Sequence, residues 1–189
     1  MNNIQRTVLS PRLPRVSRIA MGSLTVSGMQ AALPTEEAAR VLAYAFDCGI
    51  NFIDTAQYYA NYDIIREALR ICKSPEDVVV STKTYAYSKE LAVLAVEEAR
   101  RELDRDVIDI FMLHEQESYD TMRGHREAYE YLLECRACGI IRAVGASTHH
   151  TGDTMPLLQF IGGNHPQPRI IVNVLTLGAF ANKRQTLLL

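Results

Sequence analysis

The segment 51–63, NFIDTAQYYANYD, begins as a short apolar strand and ends in polar and aromatic residues. Phe52 and Ile53 are followed at once by Asp54, and the pair Tyr58 and Tyr59 comes shortly afterwards. An acid at the end of an apolar strand, with aromatic hydroxyls just beyond it, suggests a site for chemistry. The rest of the chain indicates which fold would hold that site.

Short β-rich runs alternate with longer helical patterns on both sides of this segment. Strands are predicted at 19–21, 51–54, 77–83, 107–114, 140–147 and 170–177, and helices at 35–48, 63–71, 88–103 and 122–138. In the third helix Leu91 and Leu94 share the predicted apolar face with Ala95, Ala99 and Leu103. Apolar strands that alternate with helices predict an α/β fold with a parallel sheet covered by helices.

Two parallel-sheet architectures compete, the doubly wound open sheet and the (β/α)8 barrel of the TIM type. Nucleotide-binding open sheets usually carry G-x-G-x-x-G after the first strand, and this sequence has no such motif. Four predicted strands instead end in Asp54, Lys83, His114 and Ser147, as expected at the active-site rim of a barrel. A full barrel takes about 250 residues. We therefore predict a single domain, 1–189, forming an incomplete barrel of about six strands.

The residues at these strand ends suit proton donation to a carbonyl group that receives a hydride. A tyrosine has a pKa of about 10, and a nearby ammonium lowers that value. Asp54 would hold Lys83 charged and pointed at Tyr59, which would be the proton donor. His114 would hydrogen-bond the substrate oxygen, and Ser147 would hold a cofactor amide.

Four segments with this order and spacing resemble the aldo-keto reductase family. They are GINFIDTAQYYANYDIIREAL, VVVSTK, IDIFMLHEQES and IRAVGAST. The resemblance implies an NADPH- or NADH-dependent oxidoreductase that reduces aldehydes or ketones, small-molecule carbonyl compounds, to alcohols. It places Asp54, Tyr59, Lys83 and His114 in the catalytic tetrad, and it assigns Gly22, Ser23, Asp54, Ser147 and Thr148 to the cofactor. Thr148 stands where the family often has Asn.

The resemblance covers residues 1–150, chiefly from residue 8 onward, and 151–189 diverge from the family. The sequence of 112–150 further resembles a bacterial branch of the family. Members of that branch often carry a C-terminal iron-sulfur extension, and we expect no such cluster here. We interpret the chain as a truncated member without its last barrel strands. Exposed strand edges, above all IIVNVLTL, would then favour self-association.

Composition narrows the range of partners. The chain has 189 residues, 48% of them hydrophobic, and a formal net charge of −2. This balance does not suggest a nucleic-acid or membrane-surface binder. No window approaches 18 apolar residues and no signal peptide is apparent, so a cytoplasmic location is expected.

Other interpretations remain open at this point. The chain could be a non-catalytic barrel fragment. It could also be a metal-dependent hydrolase or isomerase that uses His114, Glu115, His149 and His150. We nevertheless expect no metal site. Tyr85 and Lys89 match the Y-x-x-x-K dyad of short-chain dehydrogenases, but without a glycine-rich loop we interpret the match as coincidence. Cys135 and Cys138 form C-x-x-C, which we interpret as two helix cysteines one turn apart.

Overall fold

The computed structural model describes residues 4–148 and the strand Ile170–Val172. The strands are β1 Arg6–Thr7, β2 Val16–Ser17, β3 Met21–Gly22, β4 Phe52–Asp54, β5 Val79–Thr84, β6 Ile108–Leu113, β7 Ile141–Ser147 and β8 Ile170–Val172. The helices are α1 Thr35–Asp47, α2 Tyr62–Ile71, α3 Lys89–Leu103, α4 Tyr119–Gly124 and α5 Arg126–Ala137. Short 3₁₀ turns cover Leu24–Val26, Gln57–Tyr59 and Pro75–Asp77.

Six strands form one parallel sheet in the order β3-β4-β5-β6-β7-β8. Each strand pairs with the next one along the chain, and helices connect the strands from β3 to β7, as in a (β/α)8 barrel. The predicted α/β class and parallel sheet are confirmed. The part of the last predicted strand beyond Val172 lies outside the described residues.

Side chains alternate between the two faces of this sheet, as they do on any strand. Phe52, Val79, Ile110, Met112 and Ala143 form a core on the inner face. Ile53, Val80, Phe111, Leu113 and Val144 join the larger core under the helices. Counting on by two along each strand puts the side chains of Asp54, Lys83, His114 and Ser147 on the inner face, at the carboxyl ends of their strands.

The antiparallel hairpin of β1 and β2 closes the opposite end of the sheet. Leu13 and Val16 of the hairpin pack on the inner core. Asn51, directly before β4, is buried and makes hydrogen bonds that hold the hairpin against the sheet. Its side chain accepts a hydrogen bond from Ser17 N at 2.7 Å and donates to Arg15 O and Asp77 O, each at 3.0 Å.

Two details of the helices differ from the sequence prediction. The buried face of α3 is formed by Ala92, Ala95, Val96, Ala99 and Leu103. Leu91 and Leu94 are 38% and 65% exposed, so their placement on the apolar face was wrong. Small side chains face the sheet because they let the helix axis approach it closely.

The helix predicted over 122–138 is two helices, α4 and α5, with His125 at the junction. The backbone of His125 leaves the helical region, with φ −100° and ψ 15°, directly after Gly124. Glycine weakens a helix interior because its backbone loses the most entropy, which favours a break here. The first of the two begins with a capping box formed by Ser118 and Thr121. Among the described residues, no helix has the length and apolar character needed to cross a membrane.

Candidate active site

The strand ends lie side by side because the strands are parallel and paired in register. Gly22 is opposite Asp54, and Asp54 is opposite Ser81. The next pair of strands brings Lys83 opposite Met112, and the backbone N–H of His114 donates to Thr84 O at 2.9 Å. The predicted site residues of β4, β5 and β6 therefore share one rim of the sheet.

The side chain of Lys83 is fully buried, and two oxygen acceptors hold its ammonium. Its Nζ lies 2.7 Å from Oδ2 of Asp54 and 2.6 Å from the carbonyl oxygen of Thr55. Burial lowers the pKa of Lys83 and raises the pKa of Asp54, and the attraction between the two groups opposes both shifts. A buried pair of this kind tolerates the loss of neither partner, because the remaining charge would be uncompensated.

Tyr59 lies on the loop after β4, at the end of the 3₁₀ turn Gln57–Tyr59. Ala60 follows in the left-handed region with φ 47°, and this bend turns the chain from the 3₁₀ turn toward α2. The Lys83 Nζ lies 5.1 Å from the centroid of the Tyr59 ring, and the centroid of the His114 ring lies 5.7 Å away. The loop therefore brings the predicted proton donor over the buried Lys83–Asp54 pair.

The acidity of Tyr59 differs from the sequence expectation. Burial, with the negative charges of Asp54 and Glu115, raises its pKa to about 12. The lowered pKa expected from the sequence was wrong, because burial, Asp54 and Glu115 together outweigh any effect of the Lys83 ammonium, which is itself bound by Asp54. A hydroxyl with this pKa keeps its proton throughout the neutral range, but it is a weaker acid than the sequence interpretation expected, because a general acid works best with a pKa near the operating pH.

An aromatic wall, formed by Tyr58, Tyr85 and His114, lines one side of this rim. The rings of Tyr85 and His114 are stacked, with centroids 4.4 Å apart, and Tyr58 meets Tyr85 edge-on at 5.8 Å. The Tyr85 hydroxyl donates a hydrogen bond to Glu115. Lys89 instead extends to Glu134, 2.8 Å away, so Tyr85 and Lys89 make no dyad in this structure.

Ser147 ties the β6 loop to the end of β7. Its hydroxyl accepts a hydrogen bond from Glu115 N at 2.9 Å, and its carbonyl accepts one from Gln116 N at 2.6 Å. Glu115 adopts a left-handed backbone conformation with φ 50°, which is uncommon for a residue other than glycine. The loop conformation is therefore held by the strand end that also carries Ser147 and Thr148, both of which are buried.

Four buried polar atoms around the rim make no hydrogen bond within the described part of the chain: Ser23 Oγ, Asp54 Oδ1, Ser81 Oγ and Gln116 Oε1. A buried polar atom without a partner is costly, so such atoms often mark a ligand position. At Gly22 an added Cβ would meet no atom within 4 Å, which leaves open space at the end of β3. Hydrogen-bonding atoms beside open space fit a nicotinamide ribosyl group, with its amide and hydroxyls.

Two polar residues that support the site were not predicted. Asn61 is buried; its side chain donates to Ser23 O at 3.0 Å and accepts from the Thr55 hydroxyl at 2.9 Å. Gln57 accepts a hydrogen bond from the Thr84 hydroxyl at 2.6 Å. An asparagine directly before a helix suggests only a cap in the sequence, whereas the structure uses this one to join β3 to the β4 loop.

No group of three or more His, Cys, Asp or Glu side chains within the described ranges could hold a metal ion. His149 and His150, part of the metal-dependent interpretation, lie outside those ranges. Cys135 is buried in α5 and Cys138 is exposed at its end, and both are free thiols. Their position at the end of a helix agrees with the interpretation made from the sequence.

Comparison with known proteins identifies the family. The model of the aldo/keto reductase family matches residues 18–186 of this chain. The chain belongs to the aldo/keto reductase family. An aldo-keto reductase of Mycolicibacterium paratuberculosis is 27% identical over 142 residues, and the methylglyoxal reductase YeaE of Escherichia coli is 31% identical over 135 residues. These matches cover 73% and 69% of this chain, but 49% and 45% of the relatives.

Solved structures show the same fold. The chain is similar to an aldo-keto reductase of Bombyx mori in complex with NADP, with a TM-score of 0.72 and 17% identity. It is also similar to an aldo/keto reductase of Brucella melitensis, with a TM-score of 0.70 and 20% identity. These similarities cover 93% and 92% of this chain and 59% and 64% of the other chains. This chain thus has a (β/α)8-type fold, and it spans about half the length of the curated relatives it matches.

Proposed function

We propose that this protein is an NAD(P)H-dependent oxidoreductase that reduces aldehyde or ketone carbonyls to alcohols, with Tyr59 as the proton donor. The observation that carries the proposal is the convergence of four side chains on one rim. Lys83 bonds Asp54 at 2.7 Å and lies 5.1 Å from the Tyr59 ring centroid, and the His114 ring lies beside Tyr59. This is an arrangement of one acid, one buried cation with its carboxylate partner, and one hydrogen-bond donor that can orient the substrate.

Each side chain has a separate task in this proposal. Tyr59 transfers its hydroxyl proton to the carbonyl oxygen as that oxygen gains negative charge. Lys83 stabilises the tyrosinate that remains, because an ammonium near a phenolate lowers its energy. Asp54 holds Lys83 in place, and His114 donates a hydrogen bond that orients the carbonyl oxygen. Positioned acids of this kind contribute about 10²- to 10⁴-fold to a rate.

The cofactor proposal is NADPH or NADH, bound along the ends of β3, β4 and β7. The bound nicotinamide supplies the hydride that the carbonyl carbon receives. Ser23 and Asp54 present unpartnered buried oxygens on one side of the rim, and Ser147 presents its hydroxyl on the other. Gly22 leaves space for the ring at the end of β3, and Thr148 takes the position beside Ser147.

The experiment is a turnover assay with small aldehydes, following oxidation of the reduced cofactor. Methylglyoxal is the first substrate to test, since the relative from Escherichia coli is a methylglyoxal reductase. NADPH and NADH are compared at equal concentration. Binding of either cofactor without turnover of any carbonyl would contradict reduction and support the non-catalytic alternative. A stoichiometric metal ion in the purified protein would support the hydrolase or isomerase alternative.

Self-association through strand edges belongs to the same proposal. Within the described sheet, β3 and β8 are the outer strands, and each pairs with one neighbour there. Unpaired strand edges expose backbone donors and acceptors that a second chain can bind. Light scattering of the 189-residue chain tests this expectation, and a monomer at all concentrations would contradict it. A cytoplasmic location remains our prediction from the sequence.

A further inference from the structure

We propose that Glu115 determines substrate charge: it favours carbonyl compounds that carry a positive charge and disfavours those that carry a carboxylate. The inference deepens the proposed function and rests on it. It concerns a carboxylate that lies one residue beyond His114, on the β6 loop, at the rim where the substrate carbonyl would bind. Neither the catalytic roles proposed above nor the cofactor positions use this carboxylate.

The position of Glu115 is set by two hydrogen bonds and by its backbone conformation. Its backbone N–H donates to the Ser147 hydroxyl, and its left-handed conformation turns the residue out of the path of β6. Its side chain accepts the hydrogen bond from the Tyr85 hydroxyl. The residue is half-buried, so its carboxylate lies at the boundary between the rim and solvent.

The aromatic wall connects this carboxylate to the reacting position. Tyr85 stacks on His114 at 4.4 Å, and His114 is the residue proposed to orient the carbonyl oxygen. In this proposal, a group attached to the bound carbonyl on the His114 side lies beside the Tyr85 ring, which is hydrogen-bonded to the Glu115 carboxylate. A ring and a negative charge side by side suit a cation, which is attracted to both.

The negative charge of Glu115 affects the pKa values of two site residues, Tyr59 and Lys83. It contributes to raising the pKa of Tyr59 and opposes the burial that lowers the pKa of Lys83. The Tyr85 hydroxyl is a neutral donor, and burial and Glu115 together raise its pKa. The Tyr85 hydrogen bond therefore adds no positive charge beside the carboxylate.

The test compares aldehydes of equal shape and different charge. One pair is 4-nitrobenzaldehyde and 4-carboxybenzaldehyde; the other is 4-tert-butylbenzaldehyde and 4-(trimethylammonio)benzaldehyde. The measured quantity is the ratio of kcat/KM within each pair, for the full chain and for Glu115→Gln, which keeps an acceptor for Tyr85. Removing the charge should make the cationic aldehyde a poorer substrate and the carboxylate-bearing aldehyde a better one, each relative to its neutral partner. The expected change in each ratio is roughly tenfold, as for partly screened charges a few ångströms apart. The shift should decrease as salt increases.

A matched control removes one negative charge from the opposite end of the sheet. Glu76, in the turn Pro75–Asp77 before β5, is exposed, and Glu76→Gln should leave both ratios unchanged. Glu115→Asn is the second variant, because asparagine adopts the left-handed region readily and also removes the charge. The two Glu115 variants should agree; if neither Glu115 variant folds, the residue is structural and the proposal is wrong.

An independent readout needs no turnover. In the isolated chain, Glu115→Gln should lower the pKa of Tyr59, measured by NMR of ring-labelled tyrosine with Tyr59→Phe to assign the signal. Turnover of the neutral aldehydes with unchanged ratios in Glu115→Gln would overturn the charge proposal alone. Absence of turnover with the neutral aldehydes would instead overturn the proposed function, and the specificity inference with it.

Discussion

The ammonium of Lys83 is fully buried and lies 2.7 Å from the carboxylate of Asp54, on the neighbouring strand. The two residues are separated by 29 positions in the sequence and meet because β4 and β5 are paired in parallel. A second acceptor, the Thr55 carbonyl, lies 2.6 Å from the same nitrogen. Tyr59 lies beside this pair, and His114 lies beside Tyr59.

Replacement of Lys83 by methionine should abolish most of the carbonyl reduction, nearly as completely as loss of Tyr59. Asp54→Asn should be milder, because Asp54 acts through Lys83 rather than on the substrate. Lys83→Met should also destabilise the fold by about 3–5 kcal/mol, since it leaves a buried carboxylate without its partner. Kinetics and thermal unfolding measure the two effects. Lys73→Met, which alters an exposed lysine at the other end of the sheet, is the control. Equal and small effects on turnover from both site variants would argue against a coupled network.

Tyr59→Phe should reduce carbonyl turnover by at least about 100-fold while cofactor binding changes little. Phenylalanine keeps the ring beside His114 and removes only the hydroxyl group that carries the proton. Steady-state kinetics and cofactor titration of the variant provide the measurement. Tyr58→Phe is the matched comparison, because that ring is 62% exposed and meets Tyr85 instead. If Tyr58→Phe proved the more damaging variant, the acid role would belong to Tyr58.

Alkaline pH should destabilise the fold through buried tyrosines. The Tyr62 hydroxyl is buried and bonded to the Thr82 hydroxyl at 2.6 Å, and burial raises its pKa above the ordinary value of about 10. Between the unfolded and folded pKa values the folded state binds more protons, so the unfolding free energy falls as pH rises above about 10. The expected slope is about 1.4 kcal/mol per pH unit from this residue.

Urea unfolding of the wild type and of Tyr62→Phe from pH 8 to 11.5 measures that slope. The variant loses the Thr82 hydrogen bond at every pH, but its stability should fall less steeply above pH 10. Parallel curves over the whole range would show that Tyr62 titrates in the folded state as it does in the unfolded chain.

Asn51→Ala should lower the unfolding free energy by about 3 kcal/mol. The side chain makes three buried hydrogen bonds that join β2, β4 and the turn before β5, and each is worth about 1 kcal/mol. Chemical unfolding measures the loss. Asn51→Asp keeps the acceptor for Ser17 N but sets a buried carboxylate against the carbonyl oxygens of Arg15 and Asp77, so it should be no more stable than the alanine variant. A loss below 1 kcal/mol in Asn51→Ala would mean that water replaces these bonds.

The fold class could be predicted from the sequence because its determinants are local and repeated. Apolar strands that alternate with helices leave few architectures, and the missing glycine-rich loop favours the barrel. The same reasoning located Asp54, Lys83, His114 and Ser147, since parallel strands put their carboxyl ends at one rim. It failed at Leu91 and Leu94, where small residues on the neighbouring face of α3 are the ones that pack.

Only the tertiary structure decided which residues far apart in the chain contact each other. Three such contacts depend on how the loops bend above the sheet: the hydrogen bond of Asn61 to Ser23, the hydrogen bond of Tyr85 to Glu115, and the stacking of Tyr85 on His114. The acidity of Tyr59 belongs to the same category. From the sequence only the neighbouring ammonium was considered, but the pKa depends on burial and on every charge nearby, and here Asp54 and Glu115 help to raise it. Sequence patterns determine which residues reach the rim, whereas the electrostatics of the rim depend on distances that exist only in the folded chain.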